Sequence, residues 1–448
     1  MIRASRNWLK RSVFGSHVVT ALVGSAGLRI AGMGLGFLVG VQLARGLGAD
    51  GYGVYGLAMS IIALLTVPVE FGLPQLVTRE VAVAHVERDW GRLAGVLRWA
   101  TRTSFLVALL VAGGVLTAVV LSGGGVFTSE LGLTLLAGLV MVPLVAQGNI
   151  NGAALRGLQR IVRGQLPEVL LCPLLFAVLL FLVPVFLAPL NPTSAMVLGA
   201  ISAALTLVVA VCLLRRAVHS KLAGTTPELN VRYWWSSTIP MALTEGMRVL
   251  QGHFIILLLG IMCTDALVGI FRVASSVSLI IAVPVTLFNV VNAPLIARLY
   301  GQGDYQRLQR LLAWTAVAMT VCVLLLMVPA SVVGGPLLGT VFGSEFSQGD
   351  TALFLLCFGV LANSLFGSNA TLLNMTGHHK RVTRASAISL LVLALLSPVL
   401  ISLTGIEGAA VASATTSLLW NLLMWRDARR LLRIDSGIAA FFWSGGGR

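Results

Sequence analysis

Twelve apolar runs of about twenty residues, separated by short and mostly basic connections, constrain this 448-residue chain more than any other feature in it. Hydrocarbon offers no water to an open N–H or C=O, so a run of that length crosses a bilayer as a helix. The runs fall at roughly 18–44, 52–78, 103–122, 131–154, 169–189, 194–214, 237–262, 266–297, 313–334, 351–374, 385–404 and 406–425. Runs two and eight are long and contain Pro68 and Pro284, which predicts kinks or tilt there. Charged residues make up 10% of the chain and hydrophobic ones 57%, with a mean hydropathy of +0.94. A soluble domain carries about 25% charged residues, so a globular α/β enzyme of this length is hard to build from this composition.

The net charge of +15 suggests a polyanionic partner until the 31 Lys and Arg residues are sorted by position. Of these, 27 fall in the N-terminal segment, in the connections after even-numbered runs, or in the C-terminal tail. The opposite connections hold only Arg45, and Arg29, Arg248 and Arg272 lie inside runs. Such asymmetry orients the chain with both termini in the cytoplasm. It explains the net charge without nucleic acid, and no nucleic-acid motif is present. The basic N-terminal stretch MIRASRNWLKR reads as a cytoplasmic anchor before an uncleaved span. Cys172, Cys212, Cys263, Cys322 and Cys357 are scattered and form no CxxC, which fits small apolar helix residues rather than a metal or disulfide set.

The two halves echo each other. DWGRLAGVLRWA (89–100) aligns with DYQRLQRLLAWT (304–315), VPV (67–69) with VPV (283–285), and GLRI (27–30) with GMRV (246–249). Asp50 falls opposite Asp265. A repeat offset by six spans keeps its topology, so the halves are expected to be related by a pseudo-two-fold axis along the membrane normal. The expected fold is an all-α integral membrane protein of about twelve transmembrane helices in two six-helix lobes. The lobes are 1–224 and 238–448 (the latter with a basic tail), joined by a cytoplasmic linker at 225–237.

The charges inside the runs carry the functional question. Arg29 and Arg248 sit at matched mid-depth positions, where a guanidinium costs at least ~2.5 kcal/mol. Glu245 precedes Arg248 by three and shares its helix face, and Glu70 is the natural partner for Arg29. These are either structural ion pairs or groups facing a hydrated cavity that bind an anion. A planar guanidinium suits phosphate and pyrophosphate because it binds their oxygens bidentately and stays charged. Arg272 and Arg45, toward the outer end, either snorkel to the interface or offer an outer relay. His253 reads as a polar packing residue or a proton-coupling group. Gly32, Gly36 and Gly40 form a ladder on one face of the first run, which serves close helix packing, a cavity wall or bending.

The stretch LARGLGADGYGVYGLAMSIIALLTVPVEFGLPQLVTREVA (43–82) resembles the polysaccharide transporter branch of the multidrug/oligosaccharidyl-lipid/polysaccharide exporter superfamily. The resemblance rests on Ala44, Arg45, Leu47, Gly48, Tyr52, Gly53 and Tyr55, then Glu70, Phe71, Gly72 and Leu73, then Arg79 and Glu80. It implies a flippase, not an enzyme. Such a protein moves polyprenyl-pyrophosphate-linked oligosaccharide from the cytoplasmic to the outer leaflet for O-antigen, capsule or exopolysaccharide assembly. It works by alternating access with a cationic central cavity in the cell (inner or plasma) membrane.

In that reading Arg29, Arg248, Arg272 and Arg45 bind the pyrophosphate. Glu70, Glu245 and His253 pair charges or couple an ion, and Pro68, Pro284, Gly32, Gly36 and Gly40 serve bending and packing. No cofactor is expected beyond coupling to Na+ or H+, and no P-loop GxxxxGK[ST] occurs. The expected partners are the lipid-linked oligosaccharide, membrane lipids and polysaccharide polymerase machinery, with a monomeric chain. The alternatives are an ion-coupled drug or metabolite antiporter of the same superfamily, a lipid II flippase, and a membrane-embedded polysaccharide polymerase. The last would need an acid/base constellation at the outer face, where Asp50, Asp265, Glu345 and Asp350 are scattered.

Overall fold

The structure is a computed structural model that describes residues 2–121, 129–186, 189–222, 225–438 and 440. The side chains of the N-terminal basic anchor and of Arg448 lie outside the described residues. Seventeen α-helices follow in order, with no strand among the described residues. They are α1 (Ile2–Glu70), α2 (Leu73–Glu87), α3 (Trp90–Leu121), α4 (Glu130–Leu139), α5 (Met141–Gly157) and α6 (Ile161–Leu166). A π-helical turn at Pro167–Leu171 leads into α7 (Cys172–Phe186), then α8 (Pro192–Leu222) and α9 (Val231–Met262). The remainder are α10 (Asp265–Ile281), α11 (Val283–Gly301), α12 (Tyr305–Val332) and α13 (Gly334–Phe342). A 3₁₀ turn at Ser344–Gly349 precedes α14 (Asp350–Phe366), α15 (Asn369–Met375), α16 (His379–Thr404) and α17 (Ile406–Leu432).

Ten helical stretches among the described residues are long and apolar enough to cross a bilayer. The stretch Gly24–Glu70 has 47 residues. At 1.5 Å per residue it would measure about 70 Å, against a hydrocarbon core of ~30 Å. It makes two spans, because Gly48 (φ 69°, ψ −177°) breaks the helix where a residue bearing Cβ would be strained. Ile406–Leu432 adds another, whose Thr416, Ser417 and Asn421 keep its mean hydropathy low. Twelve spans result, matching the apolar runs of the sequence.

The two Pro-containing long runs are both broken. The second parts at Phe71 (φ 39°) and Gly72 (φ 69°), three residues beyond Pro68, and restarts as α2. The eighth parts at Ala282, and Pro284 opens α11 in the first turn, where its missing N–H costs nothing.

The chain divides into two compact units, residues 1–42 with 61–246, and residues 43–60 with 247–448. In the first unit Leu73, Leu76, Val77, Leu93, Val96, Ile150 and Leu155 form a core with Trp234. In the second, Ile296, Leu308, Leu312, Leu372, Leu373 and Met424 do the same. The repeated sequence motif has a structural reason. Asp89 accepts a hydrogen bond from the Arg92 amide at 2.9 Å, and Asp304 accepts one from the Arg307 amide at 3.1 Å. Each aspartate therefore caps the start of a long helix, and Leu93 and Leu308 four residues on are fully buried.

Two segments outside the spans are pinned rather than loose. The Glu228 amide donates to Gly91 O at 3.0 Å, and a Cβ on Gly95 would overlap the Glu228 carbonyl. After α17, Gln309 and Asp435 exchange hydrogen bonds through side chain and backbone, and the Trp425 indole donates to Asp435 at 2.9 Å.

Candidate functional site

In the first unit, Arg29 projects from α1 with an exposed side chain and forms no ion pair among the described residues. One turn on, Gly32 packs so tightly that a Cβ there would overlap the Val169 carbonyl in the π-helical turn. Gly36 faces open space, and the helix stays α-helical through Gly40. Glu70 ends α1 and accepts a hydrogen bond from Asn149 Nδ2 of α5 at 2.6 Å. Arg156, one helical face along α5, lies within electrostatic reach of Arg29, Glu70 and Glu168. The unit therefore gathers two guanidiniums and two carboxylates around the junction of α1, α5 and the π-helical turn.

Sequence reasoning placed Arg156 in a cytoplasmic connection and gave Glu168 no role. For Glu168 part of the signal was available. Pro167 and Glu168 begin an apolar run with a helix breaker and a charge, and π turns recur at functional positions in helices. Glu245, on α9, accepts a hydrogen bond from Gln75 Nε2 at 3.3 Å in this same unit.

A second charged network in this unit is built from the R-E pair at 79–80. Glu80 is 1% exposed. It takes Arg92 Nη2 at 2.6 Å and Arg92 Nε at 3.1 Å, with Arg79 on its other oxygen at 3.1 Å. Arg79 also lies over the Tyr233 ring at 5.6 Å. A cavity of about 480 Å³ adjoins the network, lined by Glu80, Asp89, Arg92, Glu228, Tyr233 and Trp234. Glu80 and Asp89 are already engaged, one by two guanidiniums and one by a helix amide, which makes this network a structural joint.

In the second unit, Arg248 is exposed on α9. His253, one to two turns along, has Nδ1 3.1 Å from Ser60 Oγ, and Ser60 donates to Gly56 O at 2.9 Å. Pro284 opens α11 as described above.

Arg272 lies in a cradle formed by the GYGVYG motif. Its guanidinium carbon is 5.3 Å from the Tyr52 ring and 5.5 Å from the Tyr55 ring, both rings buried. A Cβ on Gly56 would lie 2.6 Å from Arg272 Nη1. Gly53 and Gly269 bring two helices to backbone contact, since a Cβ on either would overlap the carbonyl of Asp265 or Ala49. Arg45 donates from Nε to Val341 O at 2.7 Å and from Nη2 to Thr340 O, which caps the C-terminus of α13. Glu345 accepts the Ala49 amide at 2.8 Å, directly after the Gly48 break. Arg272 and Arg45 are thus held by aromatic faces and carbonyls, and Arg29 and Arg248 lie exposed within long spanning helices.

Comparison with known proteins agrees with this architecture. A solved multidrug-resistance MATE family transporter of the MOP superfamily, in an inward-facing conformation, superposes with a TM-score of 0.71 at 12% identity. The match covers 94% of this chain and 100% of that one. A MOP superfamily transporter from Pyrococcus furiosus, described as having a binding pocket of reverse polarity that suggests a different function, gives 0.64 at 14% identity. It covers 92% of this chain and 95% of that one. An outward-facing MATE family structure gives 0.64 at 14% identity over 92% and 95% of the two chains. At these identities the likeness shows the fold. No curated protein matches the chain in sequence. A family profile described as "Polysaccharide biosynthesis protein" matches residues 24–300. With a fold like that of these structures and that match across more than half its length, the chain belongs to the polysaccharide biosynthesis protein family.

Proposed function

We propose that this protein flips a polyprenyl-pyrophosphate-linked oligosaccharide from the cytoplasmic to the outer leaflet of the cell membrane, for assembly of a surface polysaccharide. The observation that carries the reading is the state of its intramembrane arginines. Arg29 and Arg248 stand exposed on spanning helices, one in each unit. A guanidinium kept at that depth needs an anion or water to offset its desolvation, and pyrophosphate is an anion whose oxygens it binds bidentately. Arg156 joins Arg29 as a second cation of the first unit. Glu70, Glu168 and Glu245 supply carboxylates that offset the arginines when no substrate is bound, so that no charge is left alone in a dry environment. His253 and Glu70 are the groups placed to couple a proton or Na+ if movement is not driven by the potential alone.

Arg272 and Arg45 retain a supporting part, holding the outer end of the second unit while the substrate passes.

Complementation of a flippase-deficient strain tests the reading. The Arg29→Ala/Arg248→Ala double variant, expressed at the wild-type level, should fail to restore surface polysaccharide. Restoration at the wild-type level would remove both arginines from the mechanism. Export of cationic dyes unchanged by the double substitution would favour the antiporter instead.

A further inference from the structure

A groove unconnected with the charges above runs along the first unit between α3, α5 and α8. Its volume is about 650 Å³. The walls are apolar, with Phe105 and Leu106 from α3 and Leu207 and Val211 from α8. Arg102 and Arg215 line the same groove, and neither forms an ion pair among the described residues. Its polar lining is fixed by Gln147, whose Nε2 donates to Thr101 O at 3.0 Å, and by Asn151, whose Nδ2 donates to Gln147 O at 2.6 Å. Gln147 thus ties α5 to α3 through a backbone carbonyl, and no carboxylate lines the groove beside the two guanidiniums.

The groove opens onto a surface built for lipid. Phe105 and Leu106 are 58% and 60% exposed, and Leu109 and Leu110, one turn on, are more exposed still. Residues four apart share a helix face, so this is one continuous apolar stripe on α3. In water it would be a liability; in a bilayer it is the face that meets acyl chains. Arg102 stands one turn before this stripe on α3, and Arg215 one turn after Val211 on α8, which runs toward its C-terminus there. Both guanidiniums therefore mark the same end of the groove. An occupant must be apolar along its length and anionic at that end. Two unpaired guanidiniums complement a phosphodiester, which accepts charge-assisted hydrogen bonds from both. A zwitterionic headgroup would bring its own ammonium to the same two cations. A molecule present throughout the leaflet fills such a groove without a dedicated entry route.

We infer that this groove is a binding site for an acidic glycerophospholipid, its phosphate between Arg102 and Arg215 and an acyl chain along Phe105, Leu106, Leu207 and Val211. The inference does not depend on the cargo proposed above. The lipid would reinforce the joint of α3 and α8 across α5, whose buried side chains Val96, Trp99, Ile150, Leu214 and Ala217 share one core.

The test uses the full chain in mild detergent, incubated with equimolar phosphatidylglycerol and phosphatidylcholine of identical acyl chains and read by native mass spectrometry. The wild type should retain phosphatidylglycerol over phosphatidylcholine by about tenfold, the ratio expected from one charge-assisted contact. Arg102→Gln/Arg215→Gln should abolish the preference, while Arg98→Gln/Arg216→Gln, on the same helices but outside the groove lining, should keep it. Val211→Phe leaves both charges in place and fills the groove. It should lower retention of the phospholipid and gives an independent reading should the arginine pair fail to fold.

Equal retention of the two lipids by the wild type would overturn the assignment, as would an unchanged preference in the groove pair. Equal loss in the control pair would assign the effect to overall surface charge, against the proposal. Displacement of phosphatidylglycerol by equimolar polyprenyl phosphate would give the groove to the substrate carrier. A dimer mass with no lipid bound would give it to a second copy of the chain.

Discussion

Gly53 shows how much one residue of a degenerate motif is asked to do. Its missing side chain lets two helices meet at the backbone opposite Gly269, and there is no flexible neighbour to yield, because the clash would be with the Asp265 carbonyl. Gly53→Leu should lower the thermal stability of the purified protein by the cost of overpacking, about 1–3 kcal/mol or more. Gly36→Ala, where a Cβ meets nothing within 4 Å, should be neutral or slightly stabilising. A melting curve in detergent separates them, and equal effects would refute the packing argument. Arg272→Lys tests the cradle beside it. Lysine keeps the charge but loses the flat guanidinium stacked between Tyr52 and Tyr55, so a loss of about 0.5–2 kcal/mol is expected. At this scale the sequence made the motif visible but not its purpose. Tyr52, Gly53, Tyr55 and Gly56 are close together in the chain, while the arginine and the glycine they serve lie in a later span. Pairing across that separation is a fact of tertiary packing. Arg45 was equally opaque: a basic residue at an outer helix end gives no hint that it caps the C-terminus of α13.

Helices start and break here for reasons that can be tested one element at a time. Asp89 and Asp304 each cap a long helix, so Asp89→Ala and Asp304→Ala should each cost about 1 kcal/mol, and the Asn variants should recover most of it. Their shared D-x-x-R pattern was legible as a repeat because capping is local and leaves the same residues at the same spacing in both halves. The breaks at Gly72 and Ala282 were half-legible. Pro68 and Pro284 announced a disturbance, but its position depended on where the next helix could restart. The π-helical turn at Pro167–Leu171 was not legible, since its extra residue per turn leaves no periodic signature over so short a length.

A pH effect belongs to the start of α10. Asp265, at the lip of the eighth span, has its carboxyl pushed above the usual carboxylate range, first by burial and then by the nearby Asp50 carboxylate. An acid whose pKa is higher folded than unfolded binds its proton more tightly in the fold, so stability rises as pH falls through the folded pKa. The gain is complete below the unfolded value of about 3.9. Asp265→Asn should therefore melt at or above the wild-type temperature at pH 7, and its melting temperature should vary less between pH 7 and pH 4. A variant that is less stable than wild type at pH 7 would show that the ionised carboxylate is wanted there.

Across the whole molecule, charge is the organising quantity, and the sequence displays it almost completely. The sorting of 27 of 31 basic residues to one set of connections requires the correct number of spans, since one miscounted span would scramble it. That is why the twelve-helix architecture was legible in the sequence. What the distribution could not reveal is which of these charges are spent on structure. Arg272 and Arg45 are held by rings and carbonyls, the Glu80 network closes on itself, and Arg29 forms no ion pair among the described residues. The proposed transport cycle turns that contrast into a measurement. An anionic headgroup leaving a negative interior moves down the electrical gradient, and each net charge carried fully across is worth ~2.3 kcal/mol per 100 mV. In proteoliposomes loaded with fluorescent lipid-linked oligosaccharide, an inside-negative potassium diffusion potential should raise the outward flux, and valinomycin at equal potassium should remove the increase. Arg272→Gln should lower melting temperature while leaving the voltage response of the folded fraction intact. Arg29→Gln should do the reverse, with normal melting and a weakened flux at every potential, and Arg248→Gln should weaken the flux likewise. If flux is indifferent to potential but follows an imposed pH or Na+ gradient, then Glu70 and His253, rather than the charge of the cargo, set the direction of transport.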